Sequence, residues 1–197
     1  MSATARRQGK LVLFTGPMAS GKTTALHREQ QMAIQSRYHK PFSIGCSNNP
    51  VNAERGCVLS RSGGAYEAHF TPTLTPARAR WIIDEGFTDV FIDEAQFFAT
   101  LGECELKDFC STLLKARLSV YVSALNSDFR GEPWPAISHL LALSPIVEMH
   151  HAWCDGEGCG DKAYHTYRES AGTSKIDVHA TYVSLCRNCW YERHREK

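Results

Sequence analysis

Three groups of residues in this chain have the types and spacing to do chemistry. The first is Gly16-Pro-Met-Ala-Ser-Gly21-Lys22-Thr23, a G-x-x-x-x-G-K-T pattern. In such a loop the glycines let backbone N–H groups turn inward around an anion. The lysine adds mobile positive charge for outer phosphates, and the threonine hydroxyl faces a magnesium ion. The helix that follows aims its positive end at the same place. The second group is Asp93-Glu94, at the end of the apolar run Val90-Phe91-Ile92. An acid at the end of a buried strand is placed to hold a magnesium shell, and its neighbour can take a proton from an attacking hydroxyl. On local pattern alone, Glu94 also reads as an exposed loop acid. The third group is Cys154 and Cys159, then Cys186 and Cys189. Two such pairs on separate turns suit a tetrahedral zinc ion, and four thiolates leave no open position, so the site reads as structural. Four unrelated buried thiols are the competing reading. The first pair is the wider one, and His150, His151 or His179 stays open as a replacement ligand.

A fourth stretch, Leu125-Asn-Ser-Asp-Phe-Arg-Gly-Glu-Pro-Trp134, is a polar turn flanked by aromatics. Phe129 and Trp134 either stack on a flat ligand or plug the core. Arg130 either meets a phosphate or pairs with Glu132.

The elements that must position these groups are legible from periodicity. Leu11–Phe14 is the strand before the loop, and residues 23–37 are the helix after it, with Ala25, Leu26, Met32 and Ala33 on one face. Phe42–Ile44 is a second strand. Ser47–Gly64 is a long loop, mobile in part, with one strand at Cys57–Leu59. Thr75 caps a helix that Pro76 opens and Gly86 stops. Glu103–Leu118 carries Leu106, Phe109, Cys110, Leu113 and Leu114 at helical spacing, which makes Cys104 and Cys110 helix residues and Cys110 a core one. Leu118–Leu125 is a strand, Pro135–Leu143 a helix, and Ile146–Met149 a last strand. This alternation predicts an α/β, P-loop NTPase-like fold: a mainly parallel sheet covered by helices on both faces. After His150 the apolar density drops and cysteines gather. The chain thus divides into a nucleotide-binding domain, residues 1–150, and a small zinc-binding domain, residues 151–197, whose tail Tyr191–Lys197 is a solvated end.

The 197 residues suffice for one medium domain and an appendage. With 43% apolar residues, 22% charged residues and a net charge of +1, the composition is that of a globular protein and gives no electrostatic basis for bulk nucleic-acid binding. No apolar run reaches membrane-spanning length, and the start, MSATARRQGK, has no apolar signal core. A phosphate loop adds the expectation of a cytoplasmic protein, where thiols stay reduced and clustered cysteines hold metal.

Taken in order, these stretches resemble the zinc-containing thymidine kinase family, the cytosolic tetrameric kind with a lasso-shaped loop. GPMASGKT is similar to the family's GPMFSGKT, IDEAQFF to its IDE-x-QFF, and SDFRGEPW to its DFRGEPF. Ala163–Arg168 fits its pattern after the first cysteine pair, and Tyr182–Cys189 is similar to its Y-x-S-V-C-R-x-C. The resemblance covers nearly the whole chain. It implies transfer of the ATP γ-phosphoryl to the 5′-hydroxyl of thymidine, with ATP, Mg2+ and a structural Zn2+ as cofactors. It also implies a nucleoside as partner, no stable nucleic-acid or membrane partner, and a homotetramer. On this resemblance Gly16, Pro17, Met18, Ala19, Ser20, Gly21, Lys22, Thr23 and Thr24 cradle the phosphates. Thr23, and Asp93 through water, serve magnesium, and Glu94 is the general base. Met18, Gln96, Leu125, Phe129, Thr166 and Tyr182 surround the nucleoside, and main-chain groups of the lasso between the cysteine pairs read the base.

The chain departs from the family at several points. Ala19 stands where the family has phenylalanine, which leaves space near the substrate. CSNNPVNAERG lacks the family's D-x-R-Y, SRSG replaces SHDG, and Ala124-Leu-Asn126 replaces GLD. The glycine-rich GGADKY becomes Asp177-Val-His-Ala-Thr-Tyr182, so two glycines that let the lasso backbone approach the substrate are absent. A second reading is therefore a kinase for a deoxyuridine-type or 5-substituted pyrimidine deoxynucleoside. Two readings from other classes stand beside it. One is a zinc-ribbon ATPase acting on nucleic acid, drawn from the loop plus Arg187, Arg193 and Arg195. The other is a nucleotide-binding regulator without turnover.

Overall fold

Strand β1 (Leu11–Gly16) is buried along its whole length, and its alternate side chains serve two different cores. Leu11 and Leu13 point into one, Val12 and Phe14 into the other, as the two-residue period of a strand requires. The same division runs through β6 (Asp89–Ile92), where Val90 and Ile92 oppose Phe91, and β7 (Ser119–Leu125), where Val120 and Val122 oppose Tyr121. A sheet with apolar side chains on both faces must be covered on both. The computed structural model, which describes residues 8–47, 57–59, 65–98, 104–172, 174–177 and 179–195, shows how.

The sheet has six strands in the order β5-β2-β6-β7-β1-β8, every pairing parallel. Here β2 is Pro41–Cys46, β5 His69–Thr71 and β8 Ile146–Met149. One face is covered by α2 (Pro76–Asp84), α3 (Glu105–Lys115) and α4 (Pro135–Leu141), which supply Ala79, Ile82, Leu106, Phe109, Leu113, Ile137 and Leu140 to the larger core. The other face is covered by α1 (Lys22–Gln35) and the hairpin of β3 (Cys57–Leu59) and β4 (Ala65–Glu67).

Most expected elements appear, with four corrections. Met32 is 60% exposed; Gln30 takes the inward place on α1 because its Nε2 donates to Ser43 Oγ at 2.7 Å and rotates the buried arc. Helix α3 is shorter than expected because Arg117 turns left-handed at φ 67° and Leu118 N returns to Leu113 O at 3.1 Å, a closure that ends the helix. Cys104 thus stands at the helix N-cap while Cys110 is fully buried, as its spacing predicted, and burial pushes its thiol well up. The third correction is at the end of the chain: residues up to Arg195 form α5 (Arg187–Arg195), with Trp190 buried and His194 packed on it at 3.9 Å between ring centroids. Finally, β8 is not the last strand. Two antiparallel pairs follow, β9 (Ala152–Trp153) with β10 (Lys162–Ala163), and β11 (His165–Arg168) with β12 (Tyr182–Leu185). They enclose a third core of Ala152, Ala163, Tyr167, Leu185 and Trp190.

Helix α2 has the ends its sequence specifies: Thr75 Oγ1 accepts from Arg78 N at 3.2 Å, and Gly86 takes φ 74°. Most of the stretch 47–64, for which a long and partly mobile loop is expected, lies outside the described residues.

Candidate active site and four-cysteine cluster

Parallel strands present their C-terminal ends on one edge of the sheet, and loops leaving that edge meet. Register places Gly16 of β1 beside Leu125 of β7, and Ile92 of β6 beside Val122 of β7. The phosphate loop, the acidic pair and the aromatic turn therefore leave the sheet side by side.

The phosphate loop is bent by three left-handed or closely packed residues. Gly21, at the N-cap of α1, has φ 84° and Ala19 has φ 57°. A Cβ on Gly16 would lie 2.4 Å from the His150 carbonyl oxygen, so only glycine fits. Ser20 Oγ donates to Pro17 O at 2.8 Å, and Lys22 Nζ rests on Pro17 O at 2.5 Å and Ser20 Oγ at 3.3 Å. Thr23 and Thr24 occupy the first turn of α1.

Asp93 lies across from Thr23. Thr23 Oγ1 donates to the Asp93 carboxylate at 3.2 and 3.3 Å, which joins a side chain of α1 to the end of β6. Asp93 is 1% exposed, and burial raises its carboxyl above the ordinary range. The Ser123 hydroxyl, the Glu94 amide, the Thr23 hydroxyl and the Lys22 charge all act against that rise. Tyr66 of β4 adds a donor, its hydroxyl 3.3 Å from Asp93 Oδ2. Burial first, then the Asp93 charge, raises the Tyr66 phenol well above its ordinary value, so it serves as a donor.

Glu94 turns left-handed at φ 53°, an uncommon conformation for a non-glycine residue and one that concentrates at functional sites. Its Oε2 accepts from Gln96 Nε2 at 2.5 Å, and Gln96 Oε1 accepts from the Leu125 amide at 3.1 Å. Gln96 is 1% exposed in a short 3-10 helix, Ala95–Phe98. A chain of bonds thus runs from the end of β7 to the Glu94 carboxylate.

The nucleoside residues named from the sequence fall into three sets, of which Gln96 bonded to Leu125 is the first. In the second, Met18 N donates to Thr166 Oγ1 at 3.1 Å, and Met18 O accepts from Ser184 Oγ at 2.7 Å, so β11 and β12 are docked on the phosphate loop. Asn126 Nδ2 adds a bond to Tyr164 O at 3.0 Å. The third set centres on Phe129, whose ring lies 5.1 Å from the Arg130 guanidinium and 5.7 Å from that of Arg168. Tyr182 pairs with Arg168 across β11 and β12, and burial raises its phenol. Trp134, by contrast, is 5% exposed and plugs the larger core.

The four late cysteines come together. Their sulfurs all lie within 4.8 Å of one another, with Cys159 Sγ and Cys186 Sγ 3.8 Å apart. A tetrahedron of metal–sulfur bonds near 2.3 Å has edges of about 3.8 Å, so the donor set fits zinc. The amides of Cys186 and Gly156 donate to Cys154 Sγ at 3.2 and 3.4 Å, and Cys189 N to Cys186 Sγ at 3.5 Å. Burial raises the Cys154 thiol, but the Cys186 and Gly156 amides, together with the Cys159 and Cys189 thiols, outweigh it and hold the group below its ordinary value. The wide first pair closes through a turn in which Cys159 N bonds Gly156 O at 3.0 Å and Gly158 has φ 66°. Among the described residues no histidine joins the cluster: His150 packs edge-on to Phe14, His151 against Trp153, and His179 is exposed.

With the loop, the acids and the sulfurs in place, the comparison that decides the family is with the thymidine kinase model, which matches residues 9–190. The chain belongs to the thymidine kinase family. The matched span runs from β1 through the second cysteine pair. A thymidine kinase of Bacteroides thetaiotaomicron is 29% identical over 187 residues, covering 94% of this chain and 88% of the relative. One of Halobacterium salinarum is 30% identical, covering 92% and 93%, and one of Fowlpox virus 27% identical, covering 93% and 97%.

Four residues were missed by sequence reasoning. Tyr66 and Ser123 touch Asp93, Ser184 holds Met18, and Arg168 faces Phe129. Ser123 and Ser184 interrupt apolar strands and are 2% exposed, a signal that a buried hydroxyl has a partner. Tyr66 follows a stretch with no periodicity and carried no such signal.

Proposed function

We propose that the protein transfers the γ-phosphoryl group of ATP to the 5′-hydroxyl of thymidine, giving ADP and thymidine 5′-phosphate. The observation that carries this reading is the Thr23–Asp93 contact, which sets the phosphate loop against the acidic pair with Glu94 aimed by Gln96. The phosphate loop, residues 16–24, and the Lys22 ammonium hold the phosphates. Thr23 would ligate Mg2+ directly and Asp93 through water, and the ion would neutralise charge on the β- and γ-oxygens. Glu94 accepts the proton of the 5′-hydroxyl as that oxygen bonds to the γ-phosphorus and the bond to ADP breaks. Met18, Gln96, Leu125, Phe129, Thr166 and Tyr182 form the nucleoside pocket. Zn2+ held by the four thiolates is structural, since no position is left for a substrate.

The division into a kinase domain, residues 1–150, and a zinc-binding lasso domain, residues 151–197, is supported by the separate third core. The likeness to the family supports a homotetramer and a cytoplasmic setting. A 5-substituted or deoxyuridine-type substrate is the second reading, favoured by the small Ala19 in the phosphate loop. A panel of nucleosides, assayed with ATP and Mg2+ on zinc-replete protein, tests both. Thymidine turned over fastest supports the first reading, and a larger 5-substituent turned over fastest supports the second. ATP hydrolysis stimulated by single-stranded DNA, with no nucleoside phosphorylated, would refute both. Glu94→Gln should lower kcat by about 10²-fold or more while ATP-analogue affinity is retained.

A further inference from the structure

Arg168, at the end of β11, carries a guanidinium only 4% exposed. A buried guanidinium needs acceptors for its N–H groups. Four come from residues 170–177: Nε donates to Ser170 Oγ at 3.3 Å, Nη1 to Ser174 O at 3.0 Å, and Nη2 to Ala171 O at 3.1 Å and to the Asp177 carboxylate. Gly172 packs so closely that a Cβ there would lie 2.5 Å from Nη2. The neck of the segment is closed by Glu169 N to Thr181 O at 3.0 Å and Thr181 N to Ser170 Oγ at 3.2 Å.

A second cation ties the same segment to the aromatic turn. Lys175 Nζ donates to Pro133 O at 3.2 Å, lies 3.5 Å from the buried Asp128 carboxylate, and sits 4.6 Å over the Trp134 ring. Asp128 also accepts the Arg130 and Glu132 amides, each at 2.9 Å, and so sets the turn that presents Phe129.

We propose that Arg168 is a positioning residue for nucleoside recognition, fixing the main chain of residues 169–172 and 174–177 beside Phe129 with Asp177 and Lys175 as its anchors. This rests on the nucleoside kinase reading. It accounts for the glycines absent from Asp177–Tyr182. In place of a supple backbone that closes on the substrate, the chain wraps its lasso around a guanidinium and shapes it in advance. Preorganisation of this kind lowers the ordering cost at binding.

The test uses full-length, zinc-loaded protein and three variants, Asp177→Asn, Lys175→Met and Arg168→Lys. Amide hydrogen exchange is measured without ligand, and kinetics with nucleoside and ATP varied separately. Exchange over residues 169–177 should quicken about tenfold in Asp177→Asn and Lys175→Met, while the phosphate loop is unaffected. Nucleoside KM should rise about tenfold, with kcat and ATP KM within about twofold. Arg168→Lys keeps the charge but loses the fork, and should exceed both. Unchanged exchange in all three overturns the proposal, as do equal losses in nucleoside and ATP KM. Wild-type protein that phosphorylates no nucleoside would sink the functional reading instead. Faster exchange in the variants would then still uphold Arg168 as the organiser of the lasso.

Discussion

Asp93 collects more hydrogen bonds than its place at a strand end announces. Thr23 and Tyr66 both reach its Oδ2, and the Glu94 amide its Oδ1. Each donor fixes the direction of one lone pair, and on the proposed function the remainder would face the water shell of Mg2+. Tyr66→Phe removes one donor and little volume. About 1 kcal/mol of orientation is at stake, so the Mg2+ concentration for half-maximal ATP-analogue binding should rise roughly fivefold, with metal-free binding unchanged. An equal loss without metal would mean that Tyr66 only supports the loop. Gln96 works the same way on Glu94. Gln96→Leu strands the Leu125 amide and frees the carboxylate, so kcat should fall by roughly tenfold or more in single-turnover assays while ATP affinity holds.

At the scale of elements, the small C-terminal module decides how a flap meets the loop. Its two hairpins are too short for a large core, and the third cluster is only a few side chains around Trp190. A metal is the usual remedy for so small a unit. The fit is tight: a Cβ on Gly156 would lie 2.7 Å from Cys189 Sγ and 3.3 Å from Cys154 Sγ. Gly156→Ala should therefore lower zinc affinity about 10-fold or more, measured by competition with a chromogenic chelator, with α1 and the sheet still folded by far-ultraviolet circular dichroism. One boundary of the sheet is the edge strand β8, with Ile146 57%, Val147 46% and Met149 53% exposed. Such a row of apolar side chains on an unpaired edge is unusual for a lone chain.

For the whole molecule, two histidines contribute to the response to acid. Burial holds the His150 and His165 rings below their ordinary value of 6.5. The unfolded chain takes up protons near that value while the fold resists them. The contribution to stability is therefore complete above it and is lost as pH falls toward the depressed folded values. Thermal midpoints should drop as pH is lowered from about 7.5 to about 5.5, and His165→Gln should flatten part of that slope. A His165→Gln slope equal to wild type would assign the acid sensitivity elsewhere. At the other edge of the sheet, His39 Nδ1 meets the fully buried Asp89 at 2.6 Å, far from the phosphate loop, and serves the fold.

Local regularity determined what the sequence revealed. A phosphate loop, a capped helix and an alternating strand are each specified by residues within a few positions of one another, so β1, α1, α2 and the cysteine pairs could be read directly. The parallel sheet followed because strand and helix alternate. Tertiary structure alone decided what depends on distant partners: that Gln30 rather than Met32 faces inward, that Tyr66 reaches Asp93, that Ser184 holds Met18, and that Arg168 is buried inside its own lasso. These contacts join positions up to 166 residues apart. A hydrogen bond between groups so far apart leaves no periodic trace in the chain, because its geometry exists only after the sheet has brought both ends to one edge.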